Sequence, residues 1–413
     1  MTTRLANRRV QALRSTFAVS VMVLLMPCAM AQNAAPGAPQ SKSIPADATV
    51  RLAQSREPDT ALGRLLLPVD NSAFECGKTD GWDAACLKSH YKGQPAQWPR
   101  PVIDAGKNWK EMAPVPAVQP AANAREKAKL QLGTALFFDA GLSRKGGVSC
   151  ASCHQAGNSF SDGRAQAVGE DKLMGRRRAQ TLFAAPFASH LFWDGRAPSL
   201  EEQAKGSITN TFEMNNTLAA AVDHVNAQPQ YRQLGRQVWG HSKLSADEMV
   251  TAISTFVRTI RPPVTVADAV IAGDAAALSD QQRLGLHLFR TKARCMNCHS
   301  GALLTDNEFH DLGLSNYGRR NQDLGRFEAT RNKADLGKFR TPSLRGVSHA
   351  GPWMHNGLFA DLPGLLRLYN AGMGVVGGDP QKDAYVPTKS EHIKPLNLNA
   401  AEIDALVEWL KLL

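Results

Sequence analysis

The chain has 413 residues, 43% of them hydrophobic, which is enough for two or three domains with full cores. After its first thirty residues no stretch approaches the roughly 20 apolar residues that span a bilayer, so stable membrane insertion is not expected. The formal charge is +11, falling to +7 without Arg4, Arg8, Arg9 and Arg14 of the N-terminal segment; this does not imply nucleic-acid binding, although a basic patch could steer an acidic partner.

Residues 1–31 read as a signal peptide, with a charged start, a short apolar run from Phe17 to Met26 and the small-x-small pattern Ala29-Met30-Ala31. Arg8-Arg9 raises twin-arginine export and Cys28 a lipoprotein anchor, but Pro27 sits where an anchor wants a small residue. Residues 32–60, rich in Ala, Pro, Gln and Ser, read as a flexible tether. Residues 61–119 carry Trp82, Trp98 and Trp109, many prolines and little periodicity; they are expected to cover part of the two modules on their C-terminal side. Cys76 and Cys86 lie here, and in an oxidising compartment they should form a disulfide rather than two free thiols. Closing so short a loop contributes on the order of 3 kcal/mol or less.

The next module is read over 120–265. Glu126 to Phe138 has apolar residues at Leu130, Leu132, Leu136 and Phe137, which predicts an amphipathic helix. A Gly-rich turn over 143–149 leads into Cys150-Ala151-Ser152-Cys153-His154. Ser199, with Glu202 three residues on, predicts a capped helix carrying Gln203. Further helices are expected from Leu218 to Asn226 and from Ala246 to Ile260, the latter stopped by Pro262-Pro263. A second module, 266–413, repeats the first: LGTALFFDAGLSRKGGVSCASCH at 132–154 is echoed by LGLHLFRTKARCMNCH at 284–299. Its closing helix, Ala400 to Leu412, has Asn399 as a cap, Glu402 three residues later, and a stripe of Ile403, Leu406, Val407, Leu410 and Leu413.

Cys-x-x-Cys-His is the attachment signature of c-type haem: each thiol can form a thioether and the imidazole reaches the iron. One such motif could be a zinc half-site or a redox pair. Its recurrence as Cys295-Met296-Asn297-Cys298-His299, behind a second Leu-Gly-x-x-Leu-Phe helix, instead implies two related modules and two covalently bound haem c groups. Haem c is attached to an exported, unfolded chain, which favours the general secretory route and a periplasmic location. The expected fold class is all-α, with two cytochrome c-like haem domains and long loops.

With both motifs placed, residues 120–413 resemble the bacterial di-haem cytochrome c peroxidases and their MauG-like relatives. The resemblance rests on the two motif segments, on FWDGRAPSLEEQA at 192–204, on FEM at 212–214 and on FRTPSLRGVSHAGPWMHNGLF at 339–359. It implies that the first haem, held by His154, reacts with hydrogen peroxide, with Glu213 as acid and base and Gln203 orienting the substrate. It implies that Trp193 lies between the haems as an electron relay. Where ordinary members have a displaceable histidine this chain has Glu170, read as a solvated loop acid, so the first haem should be open without prior reduction. The second haem, on His299, takes Tyr369 as its further iron ligand by alignment, with Met373 as the alternative and Met354 in a facing loop; His355 is read as contacting a propionate or backbone. A phenolate stabilises high oxidation states, whereas a thioether raises the potential. The resemblance also implies calcium near the carbonyls of Ala350 and Pro352, but Arg178 replaces the expected asparagine and makes this doubtful.

Three functions are compatible with these features. The first is a peroxidase fed through the second haem by a small periplasmic cytochrome c or copper protein. The second is MauG-like oxidation of side chains on a protein substrate, favoured by Glu170 and Tyr369. The third is a non-catalytic di-haem electron carrier, against which Gln203 and Glu213 argue.

Overall fold

The computed structural model describes residues 71–413; the expected signal peptide and tether lie outside them, as does the start of the covering segment. Among the described residues regular structure is mainly helical. In chain order the helices are α1 (Ala84–His90), α2 (Ala124–Phe138), α3 (Cys150–Cys153), α4 (Leu200–Thr209), α5 (Leu218–Ala227), α6 (Pro229–Trp239), α7 (Ala246–Val257), α8 (Val266–Ile271), α9 (Asp280–Arg290), α10 (Phe327–Thr330), α11 (Leu362–Asn370) and α12 (Ala400–Leu410). Two antiparallel pairs of very short strands accompany them: β1 (Gly77–Lys78) with β2 (Gly81–Trp82), and β3 (Phe309–His310) with β4 (Phe339–Arg340).

The two Leu-Gly-x-x-Leu-Phe segments explain the packing. Gly133 on α2 lies against α7 so closely that a Cβ there would sit 1.8 Å from the Ala252 carbonyl oxygen. Gly285 on α9 does the same against α12, where a Cβ would sit 2.0 Å from the Ala405 oxygen. Glycine inside a helix costs about 0.5–1 kcal/mol relative to alanine; here the missing side chain is what lets the paired helices touch backbone to backbone. Around the first crossing, Leu132, Leu136, Leu142, Met249 and Ile253 form a core with α4, α5 and α6. Around the second, Leu286, Phe289, Leu406 and the fully buried Trp409 form another with α8 and α11. Each fully buried Leu or Phe contributes roughly 1.5–3 kcal/mol.

Caps set the helix starts. Asn399 and Glu402 exchange the reciprocal bonds of a capping box, as do Ser245 and Glu248. Ser199 accepts from the Glu202 amide, but the Glu202 carboxylate turns away to Lys205 (2.9 Å), so that box is half made. α7 stops at Val257, short of the expected Ile260, because Thr259 and Ile260 tighten into bonds to Phe256 and Val257 before the proline pair. α6 was not expected, although Pro229 at its first turn and the left-handed Gly240 at its end are standard helix limits.

Residues 71–113 wrap the second core. Cys76 and Cys86 form a disulfide, and Asp83 caps α1 between them. Leu87, Tyr91, Trp98 and Met112 join the second hydrophobic cluster. Arg290, fully buried, is gripped by the Glu111 carboxylate (2.6 and 2.9 Å) and the Pro99 carbonyl (2.8 Å). Glu402, also buried, accepts from Lys292 (2.8 and 2.9 Å) and from the Trp82 indole (2.8 Å). Removing one partner from such a buried pair costs about 3–5 kcal/mol, so these residues clamp the strap in place. The loops of the two modules are joined by Arg177, which bridges Asp194 (2.6 Å) and Asp323 (2.7 Å).

Candidate functional site

Each Cys-x-x-Cys-His motif is a tight turn at the wall of its own cavity. Cys150, Cys153 and His154 line the first, of about 590 Å³; Cys295, Cys298 and His299 line the second, of about 210 Å³. The turns are built alike: the His154 amide donates to the Cys150 carbonyl (2.9 Å), and the His299 amide to that of Cys295 (2.8 Å). The ring Nδ1 of His154 bonds the Phe160 carbonyl (3.0 Å), and that of His299 the Leu304 carbonyl (3.0 Å). A carbonyl partner makes Nδ1 the donor and leaves the Nε2 lone pair for a metal. Burial lowers the pKa of both imidazoles, so they stay neutral, and raises the thiols of Cys150 and Cys295 to about 12 and of Cys153 to about 11. The four motif cysteines are divided between two cavities, which does not suit one zinc ion and does suit two haems.

A second observation fits haem. Arg178 and Arg340, 7% and 5% exposed, line both cavities. Arg178 donates to the Ser161 hydroxyl (2.9 Å) and its Nε has no partner among the described residues; Arg340 bonds the Gln180 amide oxygen (2.8 Å) and Asn307. Neither makes an ion pair with a described carboxylate, and burial lowers each to about 10. Buried cations are normally paired, and carboxylates of a bound group, such as haem propionates, would complete them. The sequence had drawn attention to Arg178 only as an obstacle to calcium, and to Arg340 not at all. A permanent guanidinium at position 178 does not fit a neighbouring divalent cation, and calcium is not assigned.

The first cavity also contains Gln203 and Glu213. Gln203, one turn into α4, donates from its amide to Ser207 (2.8 Å), one turn on. Glu213 follows α4 in a turn whose amide bonds the Asn210 carbonyl (3.0 Å), and its Oε1 accepts from the Asn210 side chain (2.7 Å). Ser207 and Asn210 were overlooked, although their helical and turn spacings were available in the sequence. Trp193 is 7% exposed and lines both cavities; its indole donates to the Arg178 carbonyl (3.1 Å).

Glu170 corrects an expectation. It is 5% exposed rather than solvated, and its Oε2 lacks a partner among the described residues. Its amide donates to the Glu213 carbonyl (2.7 Å), and a Cβ at Gly147 would meet its Oε1 at 2.8 Å. It braces the Glu213 turn and does not line the cavity.

In the second cavity α11 presents Leu362, Leu365, Leu366 and Tyr369, a stripe at helical spacing. Burial raises the Tyr369 phenol well above its ordinary range. Met354 also lines this cavity; Met373 is buried but is not in its lining. His355 lines it too, stacked 3.7 Å from the Phe339 ring, with burial lowering it to about 4. Ala350 belongs to the same wall.

Comparison with known proteins agrees with this geometry. Residues 127–276 match the family model described as di-haem cytochrome c peroxidase. The chain is 37% identical over 256 residues to a methylamine utilization protein MauG of Methylophilus methylotrophus, covering 61% of this chain and 75% of that one. It is 31% identical over 332 residues to the cytochrome-c peroxidase IdrP1 of a Pseudomonas species, covering 73% and 85%. Among solved structures, a MauG-like protein associated with microbial copper homeostasis superposes with a TM-score of 0.62 at 27% identity, over 75% of this chain and 95% of that one. The chain belongs to the di-haem cytochrome c peroxidase family of oxidoreductases.

Proposed function

We propose that the protein is a periplasmic peroxidase that reduces hydrogen peroxide in the first cavity with electrons entering through the second. The observation carrying this reading is that Gln203 and Glu213 share one cavity with Cys150, Cys153 and His154. Cys150, Cys153 and His154 would hold one haem c, and Cys295, Cys298, His299 and Tyr369 the other; when bound, these groups supply an iron that binds peroxide oxygen and a store for electrons. Hydrogen peroxide, two protons and two electrons give two waters. Glu213 takes the proton from the inner oxygen and returns it to the leaving oxygen. Asn210 fixes one carboxylate oxygen and leaves the other for the substrate. Ser207 holds one amide N–H of Gln203, so the second N–H and the carbonyl can orient peroxide. Trp193, in the wall common to both cavities, is suited to pass electrons between them.

The presence of Tyr369 in the second cavity favours one further reading, in which the electrons come from side chains of a protein substrate rather than from a small cytochrome c or copper protein. Mixing the ferric protein with one equivalent of peroxide tests the shared chemistry. An immediate spectral change without prior reduction supports it; two haems inert to peroxide would leave only the electron-carrier function.

A further inference from the structure

The strap over the second core contains a line of aromatic rings that the peroxide chemistry does not use. Met296, between the two thiols of the second motif, lies with its sulfur 3.5 Å from Nη1 of Arg290. The Arg290 guanidinium stands 5.3 Å from the Trp98 ring centre. Trp98 lies edge-on to Tyr91 (5.5 Å), Tyr91 to His287 (5.8 Å), and His287 to Trp82 (4.9 Å). Met296 and Tyr91 are fully buried and Trp82 is half-buried, so the line runs from the haem motif toward the surface.

Its members differ in one chemical respect. Trp98 donates to the Gly93 carbonyl (3.1 Å), which is no base, and has a cation over its face; both features disfavour a lasting radical there. The Tyr91 hydroxyl faces Nδ1 of His287 at 2.9 Å and has no other acceptor among the described residues, so it donates, and the ring proton lies on Nε2. The Trp82 indole donates to the Glu402 carboxylate at 2.8 Å. Loss of an electron makes a phenol or indole strongly acidic, and only these two rings have a base in place to accept the released proton. Burial and the charge of Arg290 lower His287 to about 4, so it is neutral and able to accept at ordinary pH.

We propose that Tyr91 and Trp82 form a discharge route that drains oxidising equivalents from the peroxide-treated protein to its surface when no electron donor is bound. Tyr91 gives up one electron toward the oxidised site, and its proton moves to Nδ1 of His287. Trp82 then returns an electron to Tyr91, the proton comes back from His287, and the indole proton passes to Glu402. The Trp82 radical is quenched by one electron from an external reductant such as ascorbate, and Glu402 returns the indole proton across the same hydrogen bond. This inference rests on the peroxidase reading.

The test mixes the ferric holoprotein with one equivalent of peroxide without donor, and follows optical decay together with freeze-quench electron paramagnetic resonance. A tyrosyl signal in the parent that is absent in Tyr91→Phe, with several-fold slower decay of the oxidised state in both Tyr91→Phe and Trp82→Phe, supports the route. Tyr385→Phe, at a half-exposed tyrosine outside the line, should keep the signal; its loss there instead would overturn the assignment. Formation of the oxidised state with equal decay in parent and both variants would overturn the route and leave the peroxidase reading standing. No reaction of the ferric parent with peroxide would overturn both. If Tyr91→Phe does not fold, Trp82→Phe decides by the same decay, and by whether oxygenated Trp82 accumulates in the parent on repeated peroxide addition.

Discussion

Replacing Gly285 by alanine sets two opposite physical effects against each other. By helix propensity alone the change should stabilise α9 by about 1 kcal/mol. By packing it should do the reverse, because the new Cβ would lie 2.0 Å from the Ala405 carbonyl oxygen and 2.8 Å from the Trp409 Cβ. The first of these neighbours is backbone, so no rotamer change relieves it, and α9 must move from α12 by more than an ångström. Overpacking of this kind costs typically 1–3 kcal/mol and sometimes more. Given the severity of the clash we place the cost at the upper end, leaving a net loss of about 2 kcal/mol after the propensity gain. The measurement is urea denaturation of the holoprotein followed by far-ultraviolet circular dichroism, with haem content checked on the denatured chain. Because α9 leads into the second motif, the optical band of the second haem should shift as well. A variant as stable as the parent, or more so, would refute the close-crossing account, and Gly133→Ala on α2 would then be expected to be harmless too.

Glu213→Gln should retain both haems and lower the rate of reaction with peroxide by about 10²–10⁴-fold, the usual worth of a positioned acid–base group; unchanged stopped-flow kinetics would remove Glu213 from the mechanism. Tyr369→Phe should alter the spectrum of the second haem while the peroxide step at the first is still detectable, and an unaltered spectrum would turn attention to Met354, the methionine that lines the same cavity. The pH dependence of stability should carry the mark of His287, whose pKa falls from 6.5 to about 4 on folding through burial and the neighbouring Arg290 charge. The unfolded chain therefore binds the extra proton first, and stability is lost as pH falls from about 6.5 toward 4, by on the order of 3 kcal/mol for this group. His287→Gln should flatten that acid limb in urea midpoints measured from pH 7.5 to 4; an unchanged slope would locate the effect elsewhere.

The parts of the molecule that could be read from the sequence were those whose partners are near in the chain. The two Cys-x-x-Cys-His turns, the repeated Leu-Gly-x-x-Leu-Phe helices and the Asn399–Glu402 cap all belong to this class. The repeat was visible, but the reason for its glycine was not, because the carbonyls it approaches lie more than a hundred residues downstream in each module. Glu402 could be read as a capping residue; its bonds to Lys292 and Trp82 depend on tertiary packing. Glu170 was misjudged for the same reason: an acidic residue in a polar loop carries no local sign that it is buried beneath Glu213. Arg178 and Arg340 have meaning only once both cavities exist. α6 carried usable start and stop residues and apolar residues at helical spacing, Tyr231, Leu234 and Val238, which were overlooked; α1 is only seven residues long, with Leu87 its one buried residue.

The two modules are nearly the same device up to the end of their first helix, and they part company in the length of chain between that helix and the motif. In the second, Thr291 to Arg294 lead almost directly from α9 into Cys295. In the first, Asp139 to Ser149 intervene between α2 and Cys150. Within this insertion the Arg144 amide bonds the Met214 carbonyl (3.0 Å), and the Leu142 carbonyl accepts from the Asn216 side chain (2.9 Å), so it is the platform on which the Glu213 turn rests. The difference between the two copies thus lies in a loop and not in the Cys-x-x-Cys-His turns, which are built alike. Shortening that loop should convert the first module toward the character of the second, while leaving its thiols and imidazole where they are.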